Sequence, residues 1–150
     1  MKKFKFRLEA VLEHKQKMHK QAQVDFFNAK QHLEKGNLEL TSIENKEKLQ
    51  RADLKKSQIG KLNAGQIITH LRYLMHLGNA KQMKKNDLLN IEKDVNKNRQ
   101  ALIAAAKDQR IIEKLKEKKL RSFVKKIIES EQQIMDENAV NGFTRGKAEK

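Results

Sequence analysis

Ser57-Gln58-Ile59-Gly60-Lys61-Leu62-Asn63-Ala64-Gly65-Gln66 is the stretch at which this 150-residue chain turns at least energetic cost. Gly60 fits the position just past a helix C-terminus, where a positive φ is needed. Asn63, with Gln66 three residues on, approximates a capping box that opens the next helix. The turn then centres near Leu62. Gly36 and the pair Gly78-Asn79 are alternative breaks. A turn at Gly78 makes the two arms end level, but it leaves Gly60 and Gly65 inside a helix at about 1 kcal/mol each.

On both sides of this turn the chain carries helical periodicity and no proline. Upstream, Phe4, Leu8, Val11, Met18, Ala22 and Ala29 follow an alternating four-three rhythm, with Lys15 and Asp25 on its two remaining beats. Past Asp25 the stripe moves by one residue to Phe26, Leu33, Leu40 and Ile43, as a straight helix drifts against a seven-residue repeat. Downstream, the stripe returns as Leu88, Ile91, Val95, Asn98, Leu102, Ala105, Gln109 and Ile112, and then slips to Leu120, Val124, Ile127 and Ile134. Asn98 is a seam amide of the kind that fixes register. The expected fold is all-α: a rod-shaped, antiparallel two-helix coiled-coil hairpin over residues 1–138. Helix 1 spans about 4–59, the turn about 60–65, and a longer helix 2 about 66–138, followed by a flexible tail over 139–150.

Such a hairpin has no globular core, in keeping with 37% hydrophobic and 35% charged residues. Cysteine is absent, which removes disulfides, thiolate metal sites and cysteine nucleophiles. No apolar run approaches the ~20 residues of a membrane-spanning helix, and Lys2-Lys3 leads into Phe4-Lys5-Phe6-Arg7 instead of a signal core. The expected location is the cytoplasm. The net charge is +15. Residues 1–35 hold nine Lys/Arg against four Asp/Glu, and residues 111–129 hold seven against three. Folding about Leu62 brings these segments together as a basic sleeve. Nucleic acid, anionic lipid and an acidic protein surface are all attracted by such a sleeve, and charge does not choose among them.

Catalytic signatures are missing. Gly60 to Gly65 has phosphate-loop spacing, but Gln66 and Ile67 stand where Lys and Ser/Thr are required; Gly142 to Ala148 also fails. His14, His19, His32, His70 and His76 never pair at metal-ligand spacing, so neither a metal nor a cofactor is expected. Carboxylate pairs such as Glu113 with Glu117 and Asp136 with Glu137 lack the dry concave pocket that acid-base work needs. The chain is not expected to be an enzyme. The aromatics do not interleave with the basic runs, so no specific nucleic-acid binding is expected either.

Two places point to partners. Counting out from Leu62 sets Phe4 opposite about residue 120, yet the apolar pattern continues through Phe123, Val124, Ile127, Ile128, Ile134 and Met135. That overhang is a binding surface, unless helix 1 bends or the seam re-registers to cover it. At the opposite tip, Ile67, Ile68, Leu71, Tyr73, Leu74, Met75 and Leu77 are too many for a narrow seam. His70, Leu74, Leu77 and Lys81 share one face beside Tyr73. The alternative is a wider local core against Leu49 and Leu54.

The opening Phe4-Lys5-Phe6-Arg7-Leu8-Glu9-Ala10-Val11-Leu12, the tip around Tyr73-Leu74 with Leu77, and the late Met135-Asp136-Glu137-Asn138-Ala139 with Phe143 resemble the bacterial flagellar export protein FliJ family over nearly the whole chain. The resemblance implies a stalk of the flagellar type III export apparatus. Its ends enter the hexameric export ATPase ring, and its tip touches the cytoplasmic domain of the membrane export gate. Export chaperones are a further partner class, and the implied location is the cytoplasmic side of the inner membrane. By the same analogy the ring-binding residues are Lys5, Arg7, Leu8 and Lys15 with Arg121, Lys125, Lys126, Ile127 and Ile134. The gate-binding residues are Gln50, Leu54, His70, Tyr73, Leu74, Leu77 and Lys81. A virulence type III secretion stalk and a basic nucleic-acid-binding coiled coil are the other two readings; steep salt dependence would mark the latter.

Overall fold

A computed structural model describes residues 3–61 and 63–148, with side chains described as far as Gly142. Leu62, the expected centre of the turn, lies outside them, as do Met1, Lys2, Glu149 and Lys150. Helix α1 spans Glu9–Ser57 and helix α2 spans Ala64–Ala148. The second helix is the longer, with 85 residues against 49. Its backbone stays helical to Ala148, where the sequence pattern had suggested an end near 138.

The chain divides into two compact units: residues 20–104, and residues 1–19 together with 105–150. In the first unit α1 and α2 run antiparallel and are joined by the turn. Gly60 has φ +128°, a region that side-chain-bearing residues rarely enter. Asn63 caps α2: its Oδ1 accepts from the backbone N–H of Gly65 at 3.1 Å and of Gln66 at 3.4 Å. Its carbonyl accepts the first intrahelical bond, from Ile67 N at 3.1 Å. At the other side of the turn the Ser57 hydroxyl bonds back to the carbonyls of Leu54 and Asp53.

The less exposed residues of α1 in this unit include Ala22, Phe26, Ala29, Leu33, Gly36, Leu40, Ile43, Glu47, Gln50, Leu54 and Ser57, with Glu44 beside Ile43. Those of α2 include Ile67, His70, Leu74, Leu77, Lys81, Lys84, Leu88, Ile91, Val95, Asn98 and Leu102. Both series alternate three and four without a break, which is the seam of a coiled coil. Gly36 is therefore a hole and not a helix break. A Cβ built there would lie 2.7 Å from Leu88 Cδ2, and Leu88 is only 6% exposed. Gly78 is helical too, with open space where a Cβ would go. Lys84 bonds Glu39, and Lys81 bonds Glu47 at 2.9 Å, so long polar side chains tie the helices together along the seam margin.

In the second unit the same alternation gives Leu12, Lys15 and His19 from α1, with Ala105, Gln109, Ile112 and Lys116 from α2. Two expected slips are thus corrected. The α1 seam begins at Leu12, not Phe4, with Leu12 in place of Val11, and keeps one register through Phe26. Met18 and Asp25 are exposed, because the register fixed by Leu33 and Leu40 selects Leu12, His19 and Phe26 instead. On α2 the frame continues through Lys116 to Phe123, and Leu120 and Val124 are exposed instead of entering the seam. The α2 positions from Leu88 to Ile112 are those the pattern gave.

Helix α1 does not start at Phe4. Lys3 to Phe6 belongs to no helix or strand, its burial alternating residue by residue as in an extended chain, and Arg7-Leu8 is a turn, closed by a bond from Glu9 N to the Phe6 carbonyl at 3.3 Å. The sequence Lys3-Phe4-Lys5-Phe6-Arg7 explains this and corrects the expectation that aromatics and basic residues do not interleave: here they alternate with period two, so the rings take one side of an extended backbone and the cations the other. Phe6 is buried and Phe4 half-buried, while Lys3, Lys5 and Arg7 face out. The rings of Phe4 and Phe123 stack tilted with centroids 5.5 Å apart.

Candidate partner-binding surfaces

The terminal unit is built on this extended segment. Lys116 of α2 bonds the Glu9 carboxylate at 2.7 Å and stands 5.9 Å above the Phe6 ring, so one ammonium fixes both the helix start and the segment before it. Lys15 pairs with Asp108 at 2.7 Å. That pairing removes Lys15 from the free cations proposed for a ring partner, while Lys5, Arg7, Arg121 and Lys126 remain exposed. Lys125 lies 3.8 Å from Glu129, one helical turn on. Leu8 is at the margin of exposure and Ile127 is half-buried. Ile134 is 57% exposed.

Between the extended segment and α2 lies an open cleft of about 960 Å³. Lys3, Lys5, Arg7, Lys119 and Lys126 line it, together with Phe4, Phe6 and Phe123. Lys3, Phe4, Phe6, Lys119 and Phe123 were not among the residues expected at this site. The period-two alternation from Lys3 to Leu8 was the signal that could have found them. Round the helix from the cleft, Leu120, Val124 and Ile128 form an apolar strip edged by Arg121 and Lys125. From Ile128 to Gly142 every residue of α2 is exposed, Ile134 and Met135 included.

The tip residues are placed differently from the expectation of an outward gate-binding face. Gln50, Leu54, His70, Leu74, Leu77 and Lys81 all lie on the seam, with Leu77 buried and the others half-buried. The Gln50 amide contacts the His70 ring nitrogen across the helices. Glu47 joins Lys81 and Arg51, and these partners, the Arg51 hydrogen bond foremost, hold its carboxyl below the usual carboxylate range. Of the seven, only Tyr73 is exposed. The outward aliphatic side chains of the tip are Ile59 in the turn and, on α2, Ile68, Leu71 and Met75, the last three spaced three and four along one face. Leu49 is exposed and takes no part in a widened core.

Residues 4–148 match the model of the flagellar FliJ protein family. The chain belongs to that family. Neither a curated protein nor a solved structure matches it significantly. Membership of the FliJ family makes the chain a helical coiled-coil component of flagellar protein export, in a family without catalytic function. Among the described residues no helix is long and apolar enough to cross a membrane, and no cluster of His, Cys, Asp and Glu has a metal-binding arrangement.

Proposed function

We propose that the chain is the stalk of the flagellar export ATPase, with the end of α2 and the extended segment entering the hexameric ring and the tip facing the cytoplasmic domain of the export gate. The observation that carries this reading is the exposure of α2 beyond Ile127. Leu120 to Met135 spans about 22 Å at 1.5 Å per residue, with exposed apolar side chains flanked by Arg121, Lys125 and Lys126. A surface of that kind favours a concave partner that is both apolar and acidic.

The ring-facing set is then Lys5, Arg7, Leu8, Arg121, Lys125, Lys126 and Ile134. Lys15 and Ile127 support it from within the seam and its margin. At the tip, Tyr73 makes direct contact with the gate beside Ile68, Leu71 and Met75, while the seam residues from Gln50 to Lys81 hold that face in position. The protein works on the cytoplasmic face of the inner membrane, and export chaperones share the exposed helix surfaces.

Equilibrium binding of the hexameric export ATPase to the full chain and to a chain ended after Ile127 tests the ring contact. Loss of at least ~tenfold in affinity, about 1.4 kcal/mol, is expected for the shortened chain. Equal binding by the two would overturn the reading.

A further inference from the structure

The cleft of the terminal unit has a charge imbalance that the fold does not use. Lys15, Lys81, Lys84 and Lys116, which face the seam, each bond a carboxylate. Lys3, Lys5, Arg7, Lys119 and Lys126, which line the cleft, pair with no carboxylate among the described residues, and no carboxylate lines it. One side is the extended segment, whose Phe4 ring meets Phe123 of α2 and whose cations, at every second residue, are exposed at the cleft margin. The other is α2, where Lys119 and Lys126, seven residues apart, lie on one face. Phe4 and Phe123, both half-buried, supply apolar surface between them.

Five unneutralised cations around aromatic rings recognise a chain that carries carboxylates and apolar side chains together. The cleft extends along α2 from Leu115 to Lys126, about 16 Å at 1.5 Å per residue. That accommodates about five residues of extended peptide at ~3.3 Å each. A membrane surface fits less well, because a concave cleft turns its apolar floor away from a flat bilayer, whereas interfacial binders lay an apolar face outward.

We infer that this cleft is a receptor for an acidic, apolar peptide segment of a protein partner, gripped by Lys5, Arg7, Lys119 and Lys126 over the Phe4 and Phe123 rings. The inference rests on the ring-insertion reading for the partner's identity, which makes the segment part of the export ATPase; the chemistry of the segment follows from the cleft alone.

The test uses the full chain and three probes: a short dye-labelled peptide alternating Glu with Phe and Leu, its counterpart with Gln for Glu, and the ATPase hexamer. Lys5→Glu/Lys126→Glu reverses two exposed, unpaired cleft charges; Lys30→Glu/Lys97→Glu makes the same change in net charge on the other unit. Circular dichroism should be the same for all three chains. The cleft variant should bind the acidic peptide and the hexamer at least ~tenfold more weakly than the parent, and the control should bind both as the parent does. Equal binding of the Gln peptide, equal weakening by the control, or cleft-dependent binding of phosphatidylglycerol vesicles without peptide binding would overturn the inference. If the hexamer binds parent and cleft variant alike, the cleft assignment fails and ring insertion stands. If the acidic peptide binds through the cleft while the parent fails to bind the hexamer, ring insertion fails and the cleft assignment stands.

Discussion

Gly36 and Gly78 are both helical glycines, yet they do opposite things. At Gly78 an added methyl meets open space, so Gly78→Ala should raise stability by about 0.5–1 kcal/mol through helix propensity alone. At Gly36 the methyl would meet the end of the Leu88 side chain, so Gly36→Ala should gain less than Gly78→Ala, and Gly36→Leu should lose about 1–3 kcal/mol through overpacking. Thermal or urea unfolding of the three variants checks this order. The sequence marked both glycines as possible breaks, because composition cannot separate a glycine that ends a helix from one that admits a neighbour. The cap at Asn63 was legible since it depends on residues within one turn of each other. Which residues of the tip face α1 was not, because His70, Leu74, Leu77 and Lys81 form an amphipathic row whose partner is set by long-range register.

Glu47 and Glu39 give the residue scale a pH dependence. Lysine and arginine partners, the side-chain hydrogen bonds first, lower both carboxyls from the ordinary 4.5. A lowered folded-state value means that the stabilisation is fully present above 4.5 and is lost as pH falls through the lowered value, since the unfolded chain takes up the protons first. Acidification from neutral pH should therefore lower the unfolding midpoint of the parent more than that of Glu47→Gln. Parallel acid limbs for the two would remove Glu47 from the account.

At the scale of elements, the extended segment and the end of α2 differ from what periodicity alone suggested. Phe4 and Leu8 fitted a four-residue spacing by coincidence, while the period-two alternation through Lys3, Phe4, Lys5, Phe6 and Arg7 governs the backbone. Phe6→Ala should lower stability by about 2–4 kcal/mol, as loss of a buried aromatic at a partly open site. Ile134→Asp, by contrast, lies at an exposed position of α2, so helix content should be unchanged. Circular dichroism and unfolding curves separate the two. The overhang was legible from counting outward from the turn only from Ile128 onward, since Phe123 and Ile127, counted into it, are half-buried; the seam from Leu88 to Ile112 was correct. The one-residue error before Phe26 arose because Val11 and Met18 are apolar and lie beside the true seam, where side chains are only partly covered.

For the whole molecule, the proposed stalk role assigns charge and the exposed end of α2 to one function. A net charge of +15 attracts any polyanion, so DNA duplexes should bind weakly, without sequence preference, and with an affinity that falls log-linearly with salt. Competition by salt should be much weaker for a partner that also covers Leu120, Val124, Ile128 and Ile134, since apolar burial is not screened. Hydrogen-deuterium exchange of the full chain with and without the export ATPase hexamer tests this most directly. Protection confined to residues 3–8 and 120–135, with residues 64–78 unchanged, is the predicted result; protection at the tip with the end of α2 unaffected would contradict it.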